Sequence, residues 1–451
     1  MNPFSHSLRD EIGRRRFVER LAKSALGVSL AGSPFAHFAR AQSAGKGKGP
    51  LADHCILLMM NGGMPHIDTF DPKPEKPEVM GKTGVAKTPI TGEPFADTIP
   101  LLAAQAGKMA VIRSMYQKTA DHQQATYTMR TSYAPIPSIK HPTMGPWAQQ
   151  LLGRKNATLP DSVTIGAGVG HPGAGFMSPE FSPMPVDSPD RGVPDMKPHG
   201  YDWKREDWIP AYDALLKRRL ELAEKLDASF REEVKHEKVV AYTQFYDETL
   251  KFLRSEDLKL FDLNQEKDEV RDRYGRTPIG QGCLLAKRLV KGGVRFVEVT
   301  HGNWDTHTDN FDRLPDLCGR MDVAVSNLLT DLEAEGLLAR TLVVIATEFG
   351  RTPKINGNEG RDHHSIAFSC VLAGGGVKGG QIIGKSDAMG ERTETEPTEP
   401  RHLNATIAHA LGLDLNKVIY SPSGRPFTVA THKEAGGKIV SDAEPVMQVF
   451  S

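Results

Sequence analysis

Residues 55–60, Cys-Ile-Leu-Leu-Met-Met, are apolar at six consecutive positions, and the run breaks at Gly62 and Gly63. A strand with one wet face alternates apolar and polar side chains, so an unbroken run this short reads as a strand buried on both faces. Similar runs recur at 109–112, 162–165, 294–300, 341–347 and 365–372. Helical spacing occupies 98–106, 144–152, 278–291, 311–336 and 403–411. This alternation predicts a three-layer, doubly wound α/β fold whose mainly parallel sheet is covered by helices on both faces. At 451 residues, 39% of them hydrophobic and 25% charged, the chain has material for one large core.

Two stretches interrupt the pattern. Residues 166–200 are crowded with Pro and Gly and read as an irregular surface loop. Residues 204–273 carry Leu at helical spacing among Glu, Lys, Arg and Asp, and read as a helical insertion with a solvated charged face. Residues 42–53 read as a linker, 54–430 as the α/β domain and 431–451 as a C-terminal tail.

The first 41 residues have the order of an export signal: Arg14, Arg15 and Arg16, a weakly apolar run over 21–38, then Ala39 and Ala41 around a cleavage point. The paired arginines resemble the twin-arginine type, which implies the twin-arginine translocase as partner and a chain folded before export to the periplasm or beyond. An amphipathic surface helix is the alternative. The run is too short and polar for a stable transmembrane span, although an uncleaved signal would leave a tether. Lys and Arg number 56, as do Asp and Glu, so there is no overall field to attract nucleic acid. Cys55, Cys283, Cys318 and Cys370 are scattered without a C-x-x-C pair and read as buried apolar residues, with a single disulfide as the alternative.

Open α/β sheets bind ligands beyond the carboxyl ends of their strands. At those points the chain places His66 and Asp68, then Asp121 and His122, then His301, Asp305 and His307, then Glu348 and Arg351, with Asp362, His363 and His364 ahead of the strand at 365–372. Imidazole and carboxylate together form the ligand set of Zn, Mn or Fe, and one or two such ions can clamp the oxygens of a phosphoryl-type displacement. Each group also has a plainer reading. Asp305 can cap the following helix, His66 and Asp68 can hold a turn, Glu348 and Arg351 can pair, and His122 alone reads as a structural histidine. Arg351 offers a planar fork suited to phosphate, sulfate or carboxylate. No P-loop, G-x-S-x-G elbow or H-E-x-x-H is present.

The segments GGMPHIDTFDPKP (62–74), HGNWDTHTDNF (301–311), TLVVIATEFGRTP (341–353), GRDHH (360–364) and LAGGGVKGG (372–380) resemble a family of exported proteins of unknown function, often labelled sulfatase-like and common in planctomycetes. That family is similar to the alkaline phosphatase superfamily, which implies a sulfatase-like α/β core and usually two divalent ions, here Zn, Mn, Fe or Ca. By position, Asp305 and His307 match the superfamily's Asp–His ligand pair, and His363 or His364 matches a later ligand. Phe349 stands where a histidine is expected and Asn61 where an aspartate is. The formylglycine motif is absent after the second strand, leaving Thr69, Ser114 and Thr119 as conceivable nucleophiles, or water activated by the ion. The resemblance implies a metal-dependent hydrolase of phosphate or sulfate esters, with polysaccharide as a candidate substrate class. Asp305, His307, His363, His364 and Glu348 are the expected ligands, with His66, Asp68 and His301 beside them and Arg351 on the anion. The alternative is a non-catalytic protein of the same fold that binds glycans or cell-surface partners.

Overall fold

The computed structural model describes residues 49–190, 251–252 and 255–451, together with Arg218. The expected export signal, and most of the expected helical insertion over 204–273, lie outside the described residues.

Eight strands form the main sheet: β1 (His54–Met60), β2 (Met109–Met115), β3 (Ser162–Ile165), β4 (Met184–Val186), β5 (Phe296–His301), β6 (Thr341–Thr347), β7 (Phe368–Ala373) and β8 (Gln381–Ile383). Their spatial order is β8-β2-β7-β6-β1-β5-β3-β4. Every pairing is parallel except the two made by β7, which runs antiparallel between β2 and β6. The apolar run at the centre is explained by this position. Ile56, Leu58 and Met60 enter the core on one face, while Cys55, Leu57 and Met59 enter the core on the other.

Among the described residues the longer helices that cover the sheet are α1 (His122–Thr131), α2 (Met144–Leu152), α3 (Pro278–Lys291), α4 (Asn310–Ala334) and α5 (Pro400–Leu411). Leu284, Leu285, Leu328 and Leu332 of α3 and α4 pack with the first face, and Trp147, Leu403 and Ile407 of α2 and α5 with the second. Each fully buried side chain of this size stabilises the fold by about 1.5–3 kcal/mol before entropy is counted. The result is the expected three-layer α/β architecture. Helix starts follow local chemistry: the Thr277 hydroxyl accepts the Gly280 N–H ahead of α3, and the Asp121 carboxylate accepts the Gln124 N–H at 2.9 Å ahead of α1.

Some details differ from the sequence reading. The stretch expected to be irregular contributes the edge strand β4. Residues 431–451 form a hairpin, His432–Ala435 against Lys438–Ser441, and a last turn that buries Val449. All four cysteines are buried and free, so no disulfide forms. Among the described residues no helix is long and apolar enough to cross a membrane. Because β1, β2, β5 and β6 run the same way, their carboxyl ends open onto one edge, where the polar loops gather.

Candidate metal centre

Met60 ends β1 beside His301 of β5 and Thr347 of β6, which brings three loops together. Gly62 has φ +115°, and a Cβ there would lie 2.6 Å from the Asp305 backbone nitrogen. A side chain would therefore push the loop after β5 off the loop after β1. Two further residues of the site arrive on a short ribbon in which His363 pairs antiparallel with Arg351, and His364 with Gly350.

Four side chains converge here. The Nε2 atoms of His122, His307 and His363 lie 3.5, 3.1 and 3.4 Å from Asp305 Oδ1. His122, Asp305 and His363 offer ligand atoms that all fall within 4.8 Å of one another. Each imidazole also has an oxygen partner at Nδ1: Glu348 Oε1 for His122 at 2.8 Å, Asp362 Oδ1 for His307 at 2.9 Å, and the Ala120 carbonyl for His363 at 2.8 Å. Carbonyl and carboxylate oxygens only accept, so these contacts place the proton on Nδ1 and turn the Nε2 lone pairs inward.

Inward lone pairs suit a cation and little else. His307 Nε2 and His363 Nε2 are 3.0 Å apart, a repulsive arrangement of two acceptors unless a proton or a metal ion lies between them. His122 Nε2 is buried and has no hydrogen-bond partner. Nitrogen and oxygen ligands at about 2.0–2.1 Å around tetrahedral zinc stand about 3.3 Å apart, close to the separations seen. The Asp305 and His307 side chains are 46% and 44% exposed, which leaves one side open to solvent. A closed structural site would not need that opening.

The surroundings tune the donors. Burial would raise the Asp305 pKa, but the hydrogen bond and charge of Arg351 outweigh it and hold the carboxyl below its ordinary range. Burial and the charge of Arg351 lower His363, keeping it neutral. The hydrogen bond to Glu348 raises His122 against burial, so a cation there competes with a proton more as pH falls.

The remaining expected residues do other work. Glu348 is fully buried; its carboxylate accepts the Gly62 N–H at 2.7 Å as well as the His122 proton, so its oxygens are spent on positioning the His122 ring. Arg351 is fully buried too. Its donors go to the Gly62, Gly63 and Arg361 carbonyls and to Asp305, so its fork is spent inside the chain and does not face an incoming anion. Asp68 receives both arms of Arg361 at 2.7 and 2.9 Å plus Thr83 and Asn310, which occupies its lone pairs and removes it from the ligand set.

His66 and His364 stack on each other 5.9 Å apart, with His66 Nε2 on the Gly390 carbonyl. Burial lowers the pKa of both. His301 lines a separate pocket. The hydroxyls of Thr69 and Ser114 are buried and donate to the Pro65 and Glu396 carbonyls, so neither presents a nucleophile. His122 is the candidate donor that the sequence reading set aside. Its signal was its position, directly after the Asp121 cap and beyond the mouth of β2.

Residues 52–440 match the family described as protein of unknown function, DUF1501. The chain belongs to that family. No curated protein matches the DUF1501 chain significantly. Among solved structures it is similar to the lipoteichoic acid synthase LtaP from Listeria monocytogenes, at 10% identity and a TM-score of 0.36, over 92% of this chain and 80% of that one. The PsFucS1 sulfatase from Pseudoalteromonas sp. is similar at 14% identity and 0.33, over 86% and 70%. The phosphonate monoester hydrolase SpPMH from Silicibacter pomeroyi is similar at 10% identity and 0.35, over 80% and 74%.

Proposed function

We propose that this DUF1501 chain is an exported, metal-dependent hydrolase of phosphate or sulfate esters, with a polysaccharide as the substrate class. The observation that carries the reading is the set of three inward imidazole nitrogens around Asp305 Oδ1. The ion is a divalent metal such as Zn, Mn, Fe or Ca, and the described residues supply donors for one. A bound ion would supply Lewis acidity toward the ester oxygen and toward an attacking water. His122, His307, His363 and Asp305 would hold it. Glu348 and Asp362 fix two of the rings by their Nδ1 protons, and Arg351 keeps Asp305 ionised and in place. The twin-arginine resemblance of residues 1–41 supports export after folding.

A second reading, a non-catalytic binder of glycans or cell-surface partners, is favoured by the buried, engaged hydroxyls of Thr69 and Ser114. One experiment separates them. Elemental analysis of purified protein is paired with assays on aryl phosphates and aryl sulfates, with chelator and after metal return. Stoichiometric metal and turnover that chelator abolishes support the hydrolase. Metal without turnover supports the binder, and an Asp305→Ala variant with undiminished metal overturns the site.

A further inference from the structure

The loop after β5 serves two places at once. On one side Asp305 and His307 face the cation ligands; on the other, a pocket of about 340 Å³ is lined by His301, Asn303, Arg313, Asp316, Leu317 and Arg320. That volume lies at the small end of ligand pockets and suits a single sugar residue or a small charged group. His301 is only 8% exposed; its Nε2 makes no close hydrogen bond, and the Leu317 backbone is the polar partner that reaches its ring. A buried polar atom left unpaired costs roughly 1–3 kcal/mol, so it marks a place where a partner is wanted.

The charge of the pocket favours an anion. Arg313 and Arg320 bring two guanidinium groups against one carboxylate, Asp316, which Arg320 Nε already holds at 2.8 Å. Arg313 donates to the Asp305 carbonyl at 3.0 Å and the Asn303 carbonyl at 2.9 Å, so the rim of this pocket is tied to the backbone of a cation ligand. Arg320 Nε donates to Asp316, and the Arg320 side chain is 42% exposed, reachable by a solute.

We propose that this pocket is a second anion subsite, which takes a carboxylate, sulfate or phosphate on the sugar next to the ester presented to the cation. The inference rests on the hydrolase reading for its purpose, and it deepens it: the substrate is an ester on a polyanionic glycan, with a neighbouring anionic group as the recognition element. A guanidinium fork matches the paired oxygens of such groups.

The test is equilibrium binding to the full chain after chelator treatment, so that it does not depend on the metal. The probes are a sulfated, carboxylated disaccharide of the heparin type, inorganic sulfate and an uncharged disaccharide. Expected is binding of the charged disaccharide that weakens with salt, about tenfold weaker binding in Arg320→Gln, and two- to threefold tighter binding in Asp316→Asn, which removes the competing carboxylate. Both side chains are exposed, and thermal melting checks that the variants fold. An unchanged dissociation constant in Arg320→Gln, equal binding of the uncharged sugar, or weaker binding in Asp316→Asn would overturn the subsite. Inorganic sulfate binding as tightly as the disaccharide would overturn the sugar-borne anion. Failure here, in protein whose preparation carried stoichiometric metal before the chelator, leaves the hydrolase reading standing; success here, in protein that carried no metal as purified and took none up on metal return, defeats that reading alone.

Discussion

The three histidines of the candidate centre differ in what holds them, and this decides which is most sensitive to change. His363 leans on a backbone carbonyl and His307 on the exposed Asp362, whereas His122 depends on the buried Glu348. Replacing Glu348 by Gln removes a charged acceptor, so metal affinity should fall about 10–100-fold while the melting temperature in chelator changes far less. Competition with a chelating dye measures the first quantity; unchanged affinity would dismiss Glu348 as the orienting group. At this scale the sequence showed that His, Asp and Glu gather at strand mouths, but could not show saturation. Asp68 looked available until Arg361 appeared on both its oxygens, and Arg351 looked free until its donors were found on three carbonyls and Asp305. His122, one imidazole at a helix start, has beside it only Asp121, whose carboxylate caps the helix, so the pair reads as a helix start.

Between elements the decisive contact is the approach of the 350–364 ribbon to the loop after β5. A Cβ at Gly360 would stand 1.8 Å from the His307 carbonyl oxygen. Gly360→Ala should therefore move His363 away from His307 and cut bound metal severalfold or more, with far-ultraviolet dichroism unchanged because the sheet lies elsewhere; full metal content would refute this. A second prediction belongs to β5. Burial would raise the Glu298 pKa, but Arg130 and His171 outweigh it and hold the carboxyl at about 2, against an ordinary value of 4.5. Its folded pKa is depressed, so the stabilisation is complete above about pH 4.5 and is lost as pH falls through about 2. Glu298→Gln should lower the melting temperature at neutral pH and flatten its decline on acidification, read by calorimetry across pH. The long apolar runs of β1 and β6 were legible because both faces are buried. The three-residue edges β4 and β8 were not: Pro185 interrupts one, the glycines before Gln381 mask the other, and neither has a run long enough to show a period.

Over the whole molecule, the mouths of parallel strands place chemistry from distant parts of the chain on one edge. If the leader acts as its arginines suggest, Arg14→Lys with Arg15→Lys should strand folded, metal-loaded precursor in the cytoplasm, detected by cell fractionation and elemental analysis; normal export would argue against the twin-arginine route. The candidate donors at His122, Asp305, His307 and His363 are spread so widely that the full set exists only once the ribosome has passed the ribbon that carries His363. On the proposed reading, occupancy would certify finished synthesis: a truncated or half-folded chain would stay bare, and a loaded one would already have closed the contacts that a translocase for folded cargo must find complete.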